Sequence, residues 1–122
     1  MKHLDISFER KYIECVPEDI QIWFDLCKEE QNYCFKILNG SIYILITIGE
    51  KTSGGYQVNI KKIEKVDSSY NVSYSIILPK EEQANITSFV YPYDLVVIAQ
   101  NSINETEEDI LTEDLFKFSL VE

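Results

Sequence analysis

The chain predicts a mainly β domain: an antiparallel sandwich or barrel-like sheet with one amphipathic helix packed on it, α+β being the alternative. Three observations carry that expectation. Seven or eight short apolar runs recur at roughly 10–14-residue spacing between turn residues. Only the stretch opening at Pro17 has helical periodicity. At 122 residues and 45% hydrophobic content, the chain is one domain (1–122) long enough to bury a core without staples.

Residues 3–15 alternate loosely through Leu4, Ile6 and Phe8, then Tyr12 and Ile13, and read as an edge strand or two short ones. Pro17-Glu18-Asp19 opens a helix over about 17–30, since proline suits the first turn and two acids favour the helix dipole. Ile20, Trp23, Phe24 and Cys27 fall on one face at i, i+3, i+4 and i+7, and Ile22 and Leu26 are expected to widen that stripe. Trp23 and Phe24 would seal one end or face of the sheet.

Tyr33–Leu38 and Ile42–Ile48 flank Asn39-Gly40, a strong hairpin signal. In Tyr56–Val66, Tyr56, Val58 and Ile60 share a face from which Ile63 falls out of phase, which predicts a bulge near Lys61-Lys62. Asp67-Ser68-Ser69 turns the chain into Tyr70–Leu78. A charged loop over 79–84 precedes strands at 85–90 and 93–100. An acidic tail, 101–114, with a short helical turn around Glu107–Leu111, leads to a last strand at Leu115–Val121.

The net charge of −10 is concentrated after Asn101, where seven acidic residues face one lysine. Such a surface repels phosphate backbones and anionic lipid, so nucleic-acid and membrane-surface binding are disfavoured. No apolar run reaches the ~20 residues of a membrane span. The first residues lack the apolar core of a signal peptide, which makes the chain cytoplasmic as it stands, or the mature part of something longer. Four Asn-x-Ser/Thr sequons, at Asn39, Asn71, Asn85 and Asn104, are read as chance. Cys15, Cys27 and Cys34, an odd number without a C-x-x-C pair, read as reduced, buried thiols rather than as disulfides or a zinc site with His3.

No catalytic device is evident. The single imidazole, His3, lies close to the first residue, and no Gly-rich loop leads into a helix to cradle phosphate. The expectation is a non-catalytic binding domain without cofactor or metal.

Two turns are the candidate partner-binding site. Gly49-Glu50-Lys51-Thr52-Ser53-Gly54-Gly55-Tyr56 follows one apolar run, and Tyr91-Pro92-Tyr93 joins two others. Glycine supplies positive φ and proline fixes its own φ, so both serve as strand junctions. If both turns share one end of the sheet, Thr52, Ser53, Gly54, Gly55, Tyr56, Tyr91, Pro92 and Tyr93 form a rigid contact patch that loses little entropy on binding.

The order of these features resembles the C-terminal domain of the PrcB-like family of bacterial protease-complex subunits. The likeness covers about 17–98: the helix, the strand Ile42-Tyr43-Ile44-Leu45-Ile46, Gly54-Gly55-Tyr56 before Val58 and Ile60, the Pro79 loop, and Tyr91-Pro92-Tyr93. The acidic extension 101–122 lies beyond it. Against the family's Gly-x-x-Pro-Thr-Gly-Gly-Tyr, this chain has Thr52 for the proline and Ser53 for the threonine. The resemblance implies an accessory subunit that stabilises a protease complex, at the cell surface or secreted in some members. The turns are also similar to the loops that chagasin-type inhibitors wedge into cysteine-protease clefts, though Lys80-Glu81-Glu82-Gln83 stands where a Gly-rich third loop would be. Protease inhibition is thus the alternative, and a small-ligand carrier a further one.

Overall fold

The computed structural model describes residues 3–53, 55–66, 69–79, 85–99 and 116–121. Ten strands and one α-helix run in the order β1 (His3–Asp5), β2 (Glu9–Arg10), α1 (Glu18–Cys27), β3 (Gln31–Leu38), β4 (Ser41–Ile48), β5 (Lys51–Ser53), β6 (Gln57–Val66), β7 (Ser69–Ile77), β8 (Asn85–Val90), β9 (Tyr93–Ala99) and β10 (Phe116–Leu120). The expected residues Gly54 and 80–84, and the acidic tail 101–114 with its helical turn, lie outside the described residues.

Two four-stranded sheets, ordered β1-β6-β7-β10 and β2-β9-β4-β3, face each other, and β5 and β8 form a two-stranded ribbon. The sheets do not close into a barrel. The architecture is therefore a sandwich, mostly antiparallel, with one α-helix among the described residues.

β4 explains the layering. Seven of its eight residues are buried, so both of its faces are covered. Ile42, Ile44, Ile46 and Ile48 point between the sheets with Val58 and Ile60 of β6, Val72 of β7 and Val96 of β9. Tyr43 and Leu45 point the other way, where Leu95, Val16 and the helix residues Ile20 and Phe24 meet them. Strand alternation thus sends one run into two cores, making three layers of sheet, sheet and helix. Each fully buried isoleucine contributes roughly 1.5–3 kcal/mol.

The β3–β4 hairpin turns at Asn39 (φ 51°) and Gly40 (φ 79°), the paired positive φ values of a two-residue turn that matches strand twist. The predicted bulge is present: the β6–β7 register shifts between Ile60 and Lys62, and the extra residue returns Ile63 to the face of Val58 and Ile60. Three aromatic contacts help close the sandwich where β3 and β10 lie together: Phe35–Phe116 at 5.1 Å, Tyr33–Phe118 at 5.5 Å and Tyr70–Phe116 at 5.6 Å between centroids.

Four expectations are corrected. Residues 3–15 hold two short strands, but they end in a 3-10 turn at Ile13–Cys15. The last strand, β10, pairs with β7 in parallel, from Phe116↔Tyr70 to Leu120↔Tyr74, whereas an antiparallel sheet was expected. Ile22 and Leu26 do not widen the buried stripe, being 52% and 81% exposed. Two residues beyond Ile20 is 200° around the helix, which puts Ile22 on the back. Cys15 is exposed and Cys27 and Cys34 are only half-buried, so none of the three thiols is a buried core group.

α1 begins after Pro17, whose carbonyl accepts from the Ile20 and Gln21 amides, with Glu18 and Asp19 in the first turn. At its other end Asn32 Nδ2 donates to the Cys27 carbonyl at 2.9 Å, and Thr47 Oγ1 donates to the Glu30 carbonyl at 2.7 Å. Carbonyls that lack helical partners are satisfied from β3 and β4, which fixes the helix end against the sheet.

Candidate partner-binding site

β4 ends at Ile48, and Gly49 follows with a φ of +88° that suits glycine and turns the chain away from the sheet. Glu50 then leads into β5, and Lys51 pairs with Val90 at the end of β8. Tyr91 and Pro92 follow, with the Pro92 carbonyl accepting from the Ile48 amide at 3.4 Å. The two turns singled out in the sequence are therefore neighbours, joined by the β5–β8 ribbon and by the end of β4.

Side chains tie them further. Tyr91 Oη donates to Glu50 Oε1 at 2.8 Å, which holds the phenol above its ordinary pKa chiefly because the bond favours the protonated form. Lys28 Nζ, just past α1, lies 4.7 Å from the Tyr91 ring centroid, and Lys51 Nζ lies 5.2 Å from that of Tyr56. A cleft of about 340 Å³ opens between Tyr56–Asn59 on one side and Val90–Tyr93 on the other. A second depression of about 220 Å³ shares Val58, Asn59 and Tyr93 with it and extends to Arg10 and Tyr12.

The eight expected residues do not all play one part. Thr52 is exposed, and Gly55, Tyr56, Tyr91 and Pro92 are half-buried around the two turns. Ser53 belongs to β5 and pairs with Asn85, while Gly54 is outside the described residues. Tyr93 lines the cleft but is also an internal brace. Its Oη accepts from the Ile13 amide at 3.0 Å, and its ring meets the Phe24 edge at 4.8 Å and 61°. Burial is the main reason its phenol titrates above the ordinary range.

Sequence reading missed Arg10 and Asp94, which sit beside this cleft. Asp94 is buried and accepts from Arg10 Nε and Nη2, each at 2.8 Å, while its Oδ2 accepts from the Ile60 amide at 2.6 Å. A buried-facing acid within an apolar strand, Asp94 before Leu95-Val96-Val97-Ile98, was the available signal. Among the described residues, no group of three or more His, Cys, Asp or Glu side chains is placed to hold a metal ion. No helix there is long and apolar enough to cross a membrane.

The family model described as PrcB C-terminal matches residues 42–99. This stretch is PrcB-like. It runs from Ile42 in β4 to Ala99 at the end of β9, and so contains both turns and the cleft between them. α1, β3 and β10 lie outside the PrcB-like match and cover it from the helix side and along one edge. No curated protein and no solved structure matches the chain.

Proposed function

We propose that this PrcB-like domain is a non-catalytic protein-interaction module, an accessory subunit that docks on and stabilises a peptidase. One observation carries the reading: turns some thirty-five residues apart in sequence form one face, paired at Lys51 and Val90 and bonded from Tyr91 to Glu50. Ribbon pairing and lysine–ring contacts hold this face before any partner arrives, so docking forfeits little conformational entropy. Phenol rings beside Lys28, Lys51 and Glu50 offer apolar area together with charge of both signs, which suits a protein surface.

Affinity capture from the source cell with the full chain and with a Thr52→Arg/Tyr91→Ala variant tests the reading. A peptidase recovered by the parent chain and lost from the variant supports it. Equal recovery by both, or no peptidase with either, overturns it. Adding the chain to the recovered peptidase separates stabilisation, which extends its active lifetime, from inhibition, which lowers its turnover at once.

A further inference from the structure

α1 ends at Cys27 and β3 brings Cys34 back beside it. The two sulfurs lie 3.8 Å apart, neither is in a disulfide, and both residues are partly exposed. Neither position is a loose contact. The Cys27 carbonyl is held by Asn32 Nδ2, and Cys34 is paired with Leu45 of the buried strand β4. A disulfide bond is about 2.05 Å long and is reached from sulfurs in contact by rotation about the Cα–Cβ bonds.

We propose that Cys27 and Cys34 form a reversible dithiol–disulfide couple whose oxidant is a small-molecule disulfide. The Cys27 thiolate attacks one sulfur of the oxidant, forms a mixed disulfide and releases one thiolate. Cys34 then gives its proton to solvent, attacks the Cys27 sulfur and expels the second thiolate. The protein loses two electrons and two protons, and the oxidant is reduced to two thiols.

The surroundings order these steps. Burial first, and Cys27 second, push the Cys34 thiol up to about 12, so Cys34 is a poor first nucleophile at neutral pH. Capping Cys27 as a mixed disulfide removes the neighbouring thiolate charge, and Cys34 then ionises more readily at the moment its partner sulfur becomes electrophilic. Cys15 precedes α1, whereas the pair sits at its far end, about 15 Å away for a ten-residue helix. It is left to form mixed disulfides alone. The couple stands whether or not the face near Tyr91 docks a partner.

The test equilibrates the folded chain with reduced and oxidised glutathione, quenches in acid, and maps thiols and disulfides by mass spectrometry. The expected product is a Cys27–Cys34 bond with an effective concentration at least tenfold above that of the same chain unfolded in urea. Cys15→Ser should leave this equilibrium unchanged, and Cys34→Ser should stop Cys27 at the glutathione adduct. An effective concentration equal to or below the unfolded value overturns the proposal, as do separate glutathione adducts on Cys27 and Cys34 in the folded parent chain.

Discussion

Arg10 and Asp94, 84 positions apart in the chain, close a two-point ion pair around the backbone of Ile60. Asp94 Oδ2 accepts from the Ile60 amide at 2.6 Å, and Arg10 Nη2 donates to the Ile60 carbonyl at 2.8 Å. Ile60 is on β6 and Asp94 on β9, so the pair bonds one sheet to the other just before the bulge. It serves Ile60 as a neighbouring strand would.

The ion pair is lopsided in exposure, since the Asp94 side chain is 5% exposed and that of Arg10 45%. Asp94→Ala strands the Ile60 amide and leaves Arg10 without its counter-charge, a loss of about 2–4 kcal/mol. Arg10→Ala leaves the buried Asp94 carboxylate without its counter-charge and the Ile60 carbonyl without its donor, and is expected to cost more, about 3–5 kcal/mol. Urea unfolding of both variants measures this, and the reverse ranking would refute the bridging role.

Tyr91 and Tyr93 separate contact from support. Tyr93→Phe removes the acceptor of the Ile13 amide and should lower stability by about 0.5–1 kcal/mol while partner capture persists. Tyr91→Ala should abolish capture while lowering the urea midpoint only slightly, since its ring is half-buried and its bond to Glu50 is exposed. Loss of capture in Tyr93→Phe at full stability would shift the contact surface towards Arg10 and Tyr12.

The two faces of α1 respond differently to charge and truncation. Ile22→Lys and Leu26→Lys are expected to change stability by less than about 0.5 kcal/mol, because both side chains already meet solvent. Ile20→Ala opens a void beneath the helix and should cost about 2–4 kcal/mol. Thermal or urea unfolding of the three variants checks the orientation.

Alkaline pH should weaken the fold in a defined window. Burial first, and then the hydrogen bond to Tyr33 at 3.0 Å, push the Tyr74 phenol up to about 12. The folded chain keeps a proton that the unfolded chain loses near pH ~10. That stabilisation is complete below about pH 10 and disappears as pH rises towards about 12. Cys34, also held up to about 12, adds a component that begins to fade near pH ~8.5. Urea midpoints followed with pH should fall less steeply above about pH 10 in Tyr74→Phe, and less steeply from about pH 8.5 in Cys34→Ser.

Local chemistry was legible in the sequence where one segment decides its own shape. Asn39-Gly40 names its turn, the phase slip after Ile60 names its bulge, and Pro17 with two acids names a helix start. The adjacency of the two turns was a condition of the binding reading, not something either turn's residues dictate. What escaped is decided between distant segments. Nothing within Phe116–Leu120 says that it runs parallel to β7, and the helical pattern of Ile20–Cys27 did not exclude Ile22 and Leu26 from the core. The exposure of Cys15 depends on the 3-10 turn before the helix. Arg10 and Asp94 read as isolated charges until β2 and β9 are set side by side.

The central position of β4 has a consequence for how the chain is born. Its neighbour β3 precedes it, yet its other neighbour, β9, is synthesised some fifty residues later, and β6 and β7 of the opposing sheet emerge in between. On the ribosome the most water-averse strand must wait half-covered, flanked by a hairpin partner on one side only. β2 waits longer still, because it has nothing to pair with until β9 leaves the exit tunnel. Slow translation through residues 49–92 would therefore prolong the interval in which chaperones, or neighbouring nascent chains, can seize this strand.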